Sequence, residues 1–200
     1  MRVKKLFATM FALCLSAGAV MADPIPVNTL SNYLNGLRTA TAPFTQVNSD
    51  GTTDSGAFYM QRPYRMRFEY NTQNLLVLAS AGNVAIFDGK SSGGPQQYPM
   101  SKTPLSLILA PNVNLAQQGV VTGHGEVNGN TILTVRDASG KTPGSIELLF
   151  APGPVLKQWV ATDEMGQRTT VILGELRSGV EFRPSTFSIP NEVDRRKNGR

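Results

Sequence analysis

The alternation of hydrophobic and polar positions in this chain predicts one helix followed by a sheet of short antiparallel strands. Apolar residues recur at steps of three and four between Asp23 and Ala40, and Pro24 and Pro26 mark the start of that helix. From Ala42 onward, short alternating stretches are separated by glycine-containing turns, which favours about ten to eleven strands in a curled sheet or barrel. The predicted strands are Phe44–Ser49, Gly56–Arg62, Arg65–Tyr70, Leu75–Ser80, Val84–Asp88, Gly119–Val127, Ile132–Asp137, Ser145–Phe150, Leu156–Asp163 and Gln167–Leu173.

Two consecutive strands meet at Arg62, which is followed by a proline. Because side chains alternate along a strand, Arg62 shares a face with Phe58 and Met60. A guanidinium directed toward an apolar interior is costly unless its donors are hydrogen-bonded. Two interpretations follow: Arg62 lies at a strand end and extends its charged group into solvent, or it is held inside by acceptors.

The next strand is predicted to have one apolar face and one charged face. Met66 and Phe68 point inward, whereas Arg67 and Glu69 point outward with Arg65. We therefore expect the charged face of this strand to be exposed to solvent.

Bulky apolar side chains dominate the inward positions of the predicted strands. They form either a packed core or the wall of a cavity for an apolar ligand, since a sheet of this many strands encloses more volume than a small barrel can fill. The inward set is Phe58, Met60, Met66, Phe68, Phe87, Ile146, Leu148, Phe150, Leu156 and Val160.

A short helix is predicted midway along the chain, between the two groups of strands. Thr103 is a good N-cap and a proline follows it, while Leu105, Ile108 and Leu109 form an apolar patch. A further helical turn is expected in residues 112–118. These segments either fold over the open end of the sheet or serve as a local connector.

The N-terminus has the pattern of a cleaved secretory signal peptide. A basic start precedes an apolar stretch from Leu6 to Val20, and small residues favour cleavage after Ala22. Cys14 follows a leucine rather than a small residue, so we expect no lipidation there. The remaining chain is predicted to be one domain, residues 23–190, followed by a basic, mobile tail, residues 191–200.

Charge and composition narrow the classes of function. Removal of the signal segment lowers the formal net charge from +5 to +2, and we find no basic stripe interleaved with aromatic residues that would bind nucleic acid. His124 is the only histidine, and no cysteine remains after cleavage. The sequence has no metal-ligand spacing, nucleophile motif or phosphate-binding loop, so we expect neither an enzyme nor a bound cofactor or metal.

A series of short motifs runs in a fixed order through most of the mature chain. They are Phe44-Thr-Gln46, Arg62-Pro63, Phe68-Glu-Tyr70, Leu76–Ser80, Ile86-Phe-Asp88, Thr103-Pro-Leu105 with Leu109, Asp163 with Gly166-Gln167, and Phe187–Pro190. Together these residues resemble the outer-membrane lipoprotein carrier (LolA) family of Gram-negative bacteria. The glycine- and serine-rich loop from Lys90 to Gln97 and the C-terminal tail depart from the pattern of many members.

The resemblance implies a mainly β fold with an α lid, that is, an incomplete antiparallel β-barrel capped by short helices. Arg62 matches the arginine that bonds to the lid backbone and keeps the family's lid closed. Met66 matches a position on the cavity rim near the transporter contact. The implied acyl-chain cavity is lined by Phe44, Phe58, Met60, Met66, Phe68, Phe87, Leu105, Ile108, Leu109, Leu148 and Phe150.

The resemblance also implies a function and a location. Such a protein is a monomeric periplasmic chaperone that takes triacylated lipoproteins from the inner-membrane LolCDE transporter and delivers them to LolB or an equivalent outer-membrane receptor. The receptor itself would need a lipidated cysteine after its signal, which Cys14 does not supply. A periplasmic binding protein for free lipid or another hydrophobic small molecule is the alternative.

Overall fold

The computed structural model describes residues 23–72, 74–90 and 93–198. The predicted signal peptide, including Cys14, lies outside the described residues. Within them the strands are β1 (Thr39–Val47), β2 (Thr53–Gln61), β3 (Arg65–Tyr70), β4 (Leu76–Ser80), β5 (Asn83–Phe87), β6 (Gln96–Pro99), β7 (Val121–Val127), β8 (Asn130–Val135), β9 (Ser145–Ala151), β10 (Val155–Thr162), β11 (Arg168–Leu173) and β12 (Arg177–Ser178). The α-helices are α1 (Val27–Gly36), α2 (Leu105–Leu109) and α3 (Ile189–Asn198), and single 3₁₀ turns span Met100–Lys102 and Pro184–Phe187.

All twelve of these strands belong to one antiparallel sheet, which is open rather than closed into a barrel. Its order is β6-β5-β4-β3-β2-β1-β11-β10-β9-β8-β7, and β12 pairs with β1. The predicted fold class, a mainly β protein with an incomplete antiparallel barrel and short helices, is confirmed. The sequence pattern missed β6 and β12, because β6 has no apolar alternation and β12 has only two residues.

The inner face of the sheet packs against α1 and α2. Cross-strand neighbours share a face, so the pairs Phe58–Phe68 and Met60–Met66 place four apolar side chains on this side. From α1, Leu30 and Leu34 are buried in the same core cluster. This inner face is therefore the hydrophobic centre of the molecule.

The first helix is shorter than the sequence predicted. It begins at Val27, where Leu30 N donates to Pro26 O at 3.1 Å, and it ends at Gly36. The predicted end at Ala40 is wrong, because Thr39 and Ala40 already pair with β2. Pairing with a neighbouring strand prevails here over helical periodicity.

The outer face of β3, β4 and β5 is covered by the C-terminal part of the chain. The expected exposure of Arg67 is wrong: it is buried, donates to Thr186 O at 3.2 Å and lies 3.5 Å from the carboxylate of Glu192. Residues 189–198 form α3 rather than a mobile tail, and Glu192 of this helix is 5% exposed. The Arg196 guanidinium lies 5.0 Å from the ring centroid of Phe87, which fixes the helix over the sheet.

The segment between β6 and β7 connects the two edge strands of the sheet. It contains α2, which begins at Leu105, one residue later than predicted, with Pro104 rather than Thr103 as its N-cap; Leu105 N nevertheless donates to Thr103 Oγ1 at 3.2 Å. Residues 112–118 form turns rather than the expected helical turn. Among the described residues, no helix is long and apolar enough to cross a membrane.

Candidate lid and apolar interior

An aromatic cluster occupies the middle of the inner face. The ring of Phe68 lies 5.1 Å from that of Phe44 and 5.2 Å from that of Phe58, measured between centroids. Trp159 lies 5.6 Å from Phe58. These contacts bring strands β1, β2, β3 and β10 together around one apolar centre.

Most of the residues predicted to line the cavity lie in this inner cluster. Leu105 is only partly buried against it. The predicted cavity residues that are fully buried in the inner cluster are Phe44, Phe58, Met60, Met66, Phe68, Ile108, Leu109, Leu148 and Phe150.

Phe87 is the exception among the predicted cavity residues. It pairs with Leu76 on the outer face of the sheet and packs with Phe187 in a separate cluster under the C-terminal segment. The expectation that Phe87 faces the interior is therefore wrong. The phase of a short strand does not reveal which face is inward when both faces are covered by apolar groups.

The sequence pattern also missed Trp159, which is 2% exposed and lies in the inner cluster. A bulge in β10 between Leu156 and Gln158 shifts the alternation by one residue. As a result Trp159 faces inward, whereas Val160, predicted to face inward, pairs with Glu147 on the outer face. A bulge cannot be recognised from the alternation of apolar and polar residues. The only feature of the sequence that could have indicated a core position for Trp159 is its large apolar side chain.

The interior is closed and nearly filled. A cavity of about 20 Å³ lies under α1, lined by residues that include Leu34, Phe58, Arg62 and Trp159. A second cavity of about 60 Å³ lies beneath α2, beside Met66. A single water needs roughly 10–15 Å³, so neither space admits an acyl chain. Among the described residues, no wide cavity lies directly beneath the two helices; a more open cleft of about 680 Å³ lies beside the lid, lined by residues that include Ala110, Val113 and Leu115.

Arg62 lies beneath the helices that cover this interior, with only 7% of its surface exposed. Its Nη1 donates to Leu34 O near the end of α1, and its Nη2 donates to Ala110 O just after α2. Nη2 also lies 3.4 Å from Asn35 Oδ1. The interpretation of Arg62 as a solvent-exposed strand end is therefore excluded, since its guanidinium joins the end of β2 to both covering helices.

Burial governs the electrostatics of this arginine. Desolvation, followed by the nearby charge of Arg38, lowers the pKa of Arg62. An arginine nevertheless stays charged in proteins, so these are charge-assisted hydrogen bonds. Within the described part of the chain, Nε of Arg62 has no hydrogen-bond partner.

A second set of contacts ties α1 to the chain that follows α2. Asn35 Nδ2 donates to Val113 O at 2.9 Å, and Val113 N donates to Asn35 Oδ1 at 2.8 Å. One turn earlier on the helix, Ser31 Oγ accepts from Leu115 N at 3.1 Å. We call α1, α2 and residues 110–115 the lid, and residues 110–115 alone the lid segment.

Metal-ligating side chains do not form a cluster among the residues that the structure describes. The described residues contain no group of three or more His, Cys, Asp or Glu side chains that could hold a metal ion. His124 lies within β7, with Nε2 2.9 Å from Ile25 O, and so contacts the chain that leads into α1.

The fold and this site define a class: an open antiparallel sheet whose apolar inner face is covered by a helical lid tied down through a buried arginine. The family model described as "Outer membrane lipoprotein carrier protein LolA" matches residues 35–190. The chain belongs to the LolA family, as its motifs indicated.

Curated relatives agree with the family. A protein of Methylococcus capsulatus named "Outer-membrane lipoprotein carrier protein" is 26% identical, over 88% of this chain and 89% of its own length. A protein of Pseudomonas aeruginosa with the same name is 26% identical, over 95% of this chain and 98% of its own length. A crystal structure of a putative outer membrane lipoprotein-sorting protein domain from Vibrio parahaemolyticus superposes with a TM-score of 0.48 at 7% identity, covering 84% of this chain and 96% of that one.

Proposed function

We propose that this protein is a periplasmic lipoprotein carrier that binds acyl chains against the inner face of its sheet after the lid opens. The observation that carries the proposal is Arg62, which holds both helices of the lid over an apolar interior. Family membership supports a carrier rather than a catalytic role. The predicted signal peptide, residues 1–22, supports the periplasmic location.

The closed interior explains how such a carrier can release its cargo. Burial of each acyl methylene contributes about 0.8 kcal/mol, so several chains in an empty, rigid pocket would bind almost irreversibly. Here the lid residues already fill that space; Ile108 and Leu109, for example, are buried against the sheet. Cargo must therefore displace lid contacts of similar chemistry, and only the difference in free energy remains as affinity.

Opening the lid has a second cost, which is electrostatic. The bonds from Arg62 to Leu34 O and Ala110 O exist in the closed arrangement and break when the lid separates from β2. A ligand that binds the open state must supply this free energy, so the apparent affinity falls. We propose that this cost lets a tighter-binding outer-membrane receptor, LolB or an equivalent, take the lipoprotein without ATP.

We propose the inner-membrane LolCDE transporter as the donor, with this protein acting as a monomer because one chain supplies both sheet and lid. The test is mass spectrometry of the protein purified from the periplasm of cells that express it. Co-purification of triacylated lipoproteins is the expected result. Recovery of free phospholipid or glycan alone would instead support a binding protein for free lipid or another small molecule.

A further inference from the structure

The two parts of the lid, α1 and the lid segment, differ in their attachments to the rest of the protein. The chain before α1 is held by Ile25 N, which donates to Thr131 Oγ1 at 2.8 Å. Tyr33 in the middle of α1 accepts from Leu156 N at 3.1 Å, and β1 begins at Thr39, shortly after the helix ends. Helix α1 thus has attachments to the sheet that do not involve Arg62.

The lid segment, in contrast, is held through a few hydrogen bonds near its two ends. At the start, Ala110 O accepts from Arg62, and the preceding residue, Leu109, accepts from Tyr64 N at 3.0 Å. Farther along, its polar contacts run to α1: Val113 to Asn35, and Leu115 to Ser31. Arg62 therefore fastens one end of the lid segment, and the contacts to α1 fasten the other.

Asn35 suits this role because of its amide. A side-chain amide carries one acceptor and two donors, so it can bond to the N–H and the C=O of the same residue at once. Asn35 does so with Val113, at 2.8 and 2.9 Å. An aspartate would keep the acceptor and lose the donor, and an alanine would lose both.

Burial strengthens this attachment. Val113 is 5% exposed and Leu115 is 2% exposed, and both belong to the inner cluster. Their backbone groups cannot be hydrated without lifting the segment, so the polar partners on α1 are needed for the closed arrangement.

We propose that Asn35 is a second latch: a positioning residue that holds the lid segment on α1 through its two bonds to Val113, in addition to its long contact, 3.4 Å, with Arg62 Nη2. This inference rests on the proposed function for its role in cargo release. The latch itself is a property of the closed protein and is measurable without cargo.

The first test is amide hydrogen exchange in the Asn35→Ala variant of the full mature chain. The amide of Leu115 is the decisive probe, because it bonds to Ser31 and not to Asn35. We expect its exchange to be accelerated about tenfold, the factor for one hydrogen bond of ordinary net strength. Unchanged protection at Leu115 would overturn the proposal, since the lid segment would then stay in place without Asn35.

Asn32→Ala is the matched control on the same helix. Asn32 is exposed and lies one residue after Ser31, so its replacement changes the composition of α1 equally without touching the lid segment. We expect no acceleration at Leu115 in this variant. If Asn35→Ala fails to fold, Asn35→Asp replaces it; we expect it to retain the bond from Val113 N and to accelerate exchange less than alanine would.

The second test measures binding of a fluorescent fatty-acid probe. Asn35→Ala is expected to bind it about tenfold more tightly, because the open state no longer forfeits the contacts to Val113. The double variant Asn35→Ala/Arg62→Leu is expected to bind the probe about tenfold more tightly than Arg62→Leu alone. Equal probe affinity of the double variant and Arg62→Leu would overturn the proposal, because Asn35 would then act only by positioning Arg62.

Hydrogen exchange and probe binding together distinguish failure of the latch from failure of the proposed carrier function. An unmodified protein that does not bind the probe contradicts the proposed function, while accelerated exchange at Leu115 in Asn35→Ala still supports the latch. Probe binding that is equal in the unmodified protein and Asn35→Ala contradicts the latch and leaves the carrier function standing.

Discussion

Replacement of Arg62 by leucine is the most direct perturbation of the lid. The substitution removes the donors to Leu34 O and Ala110 O and leaves both carbonyls without that partner in the closed state. The contact to Asn35 Oδ1 at 3.4 Å is long and adds little. We therefore expect the closed state to lose stability relative to the open state, and cargo to be held more tightly.

The change in the free energy of lid closure follows from the loss of two charge-assisted hydrogen bonds and the removal of one opposing cost. Hydrogen bonds to charged groups contribute about 1.5–3 kcal/mol each, so the pair favours closure by at least about 3 kcal/mol. Burial of Arg62 offsets part of this, by about 1–3 kcal/mol, because its Nε has no hydrogen-bond partner among the described residues. A net value of about 2 kcal/mol corresponds to a roughly thirtyfold increase in affinity for an acyl ligand that binds the open state.

The assay is equilibrium titration with a fluorescent fatty-acid probe, together with the rate of cargo release to the outer-membrane receptor. Arg65→Leu is the matched control, because Arg65 is exposed on the same hairpin and bonds only weakly to Gln61 Oε1, at 3.3 Å. We expect slow release from Arg62→Leu and normal release from Arg65→Leu. Normal release and unchanged probe affinity in Arg62→Leu would refute the account of the lid.

Three further predictions concern stability. Gly56→Ala should destabilise the protein by about 3 kcal/mol or more, because its Cβ would lie 1.9 Å from Glu69 O; a normal urea midpoint would contradict the pairing of β2 with β3. Trp159→Ala should cost about 3–5 kcal/mol in the same assay, and a cost below about 1 kcal/mol would show that Trp159 is not in the core. Burial opposes ionisation of Glu192, but hydrogen bonds, led by that from Arg195, lower its pKa below 4.5. Its carboxylate therefore stabilises the fold above about pH 4.5, and this contribution is lost as the pH falls through the lowered pKa. Glu192→Gln should be less stable than the unmodified protein at pH 7, with a difference that shrinks at pH 3; a constant difference would contradict the pairing.

Much of the sheet could be predicted from local pattern alone. Period-two alternation correctly assigned the faces of β2 and β3, including Phe58 and Met66 on the inside and Arg67 on the outside. Alternation is a property of the extended backbone and needs no knowledge of distant residues. The same rule placed Arg62 on the apolar face of its strand. The Arg62-Pro63 step, together with the other motifs in the chain, indicated the family.

The candidate site depended on contacts that a local pattern does not contain. The bulge that turns Trp159 inward depends on the pairing of β10 with β9. Whether Phe87 faces the interior depends on the C-terminal segment, which supplies Phe187 to cover the opposite face. The bond between Asn35 and Val113 joins positions 78 residues apart, and no periodicity reports such a pair.

The sequence by itself determined that the chain forms a sheet whose strands have one apolar and one polar face, and that an amphipathic helix precedes this sheet. It also showed that one arginine interrupts an apolar face. Only the tertiary structure decided where the acceptors for that arginine lie, how completely the lid fills the space beneath it, and that Arg67 is buried under α3. The physical reason is range: secondary structure follows from neighbouring residues, whereas hydrogen-bond satisfaction and packing of buried groups depend on residues brought together by the whole fold.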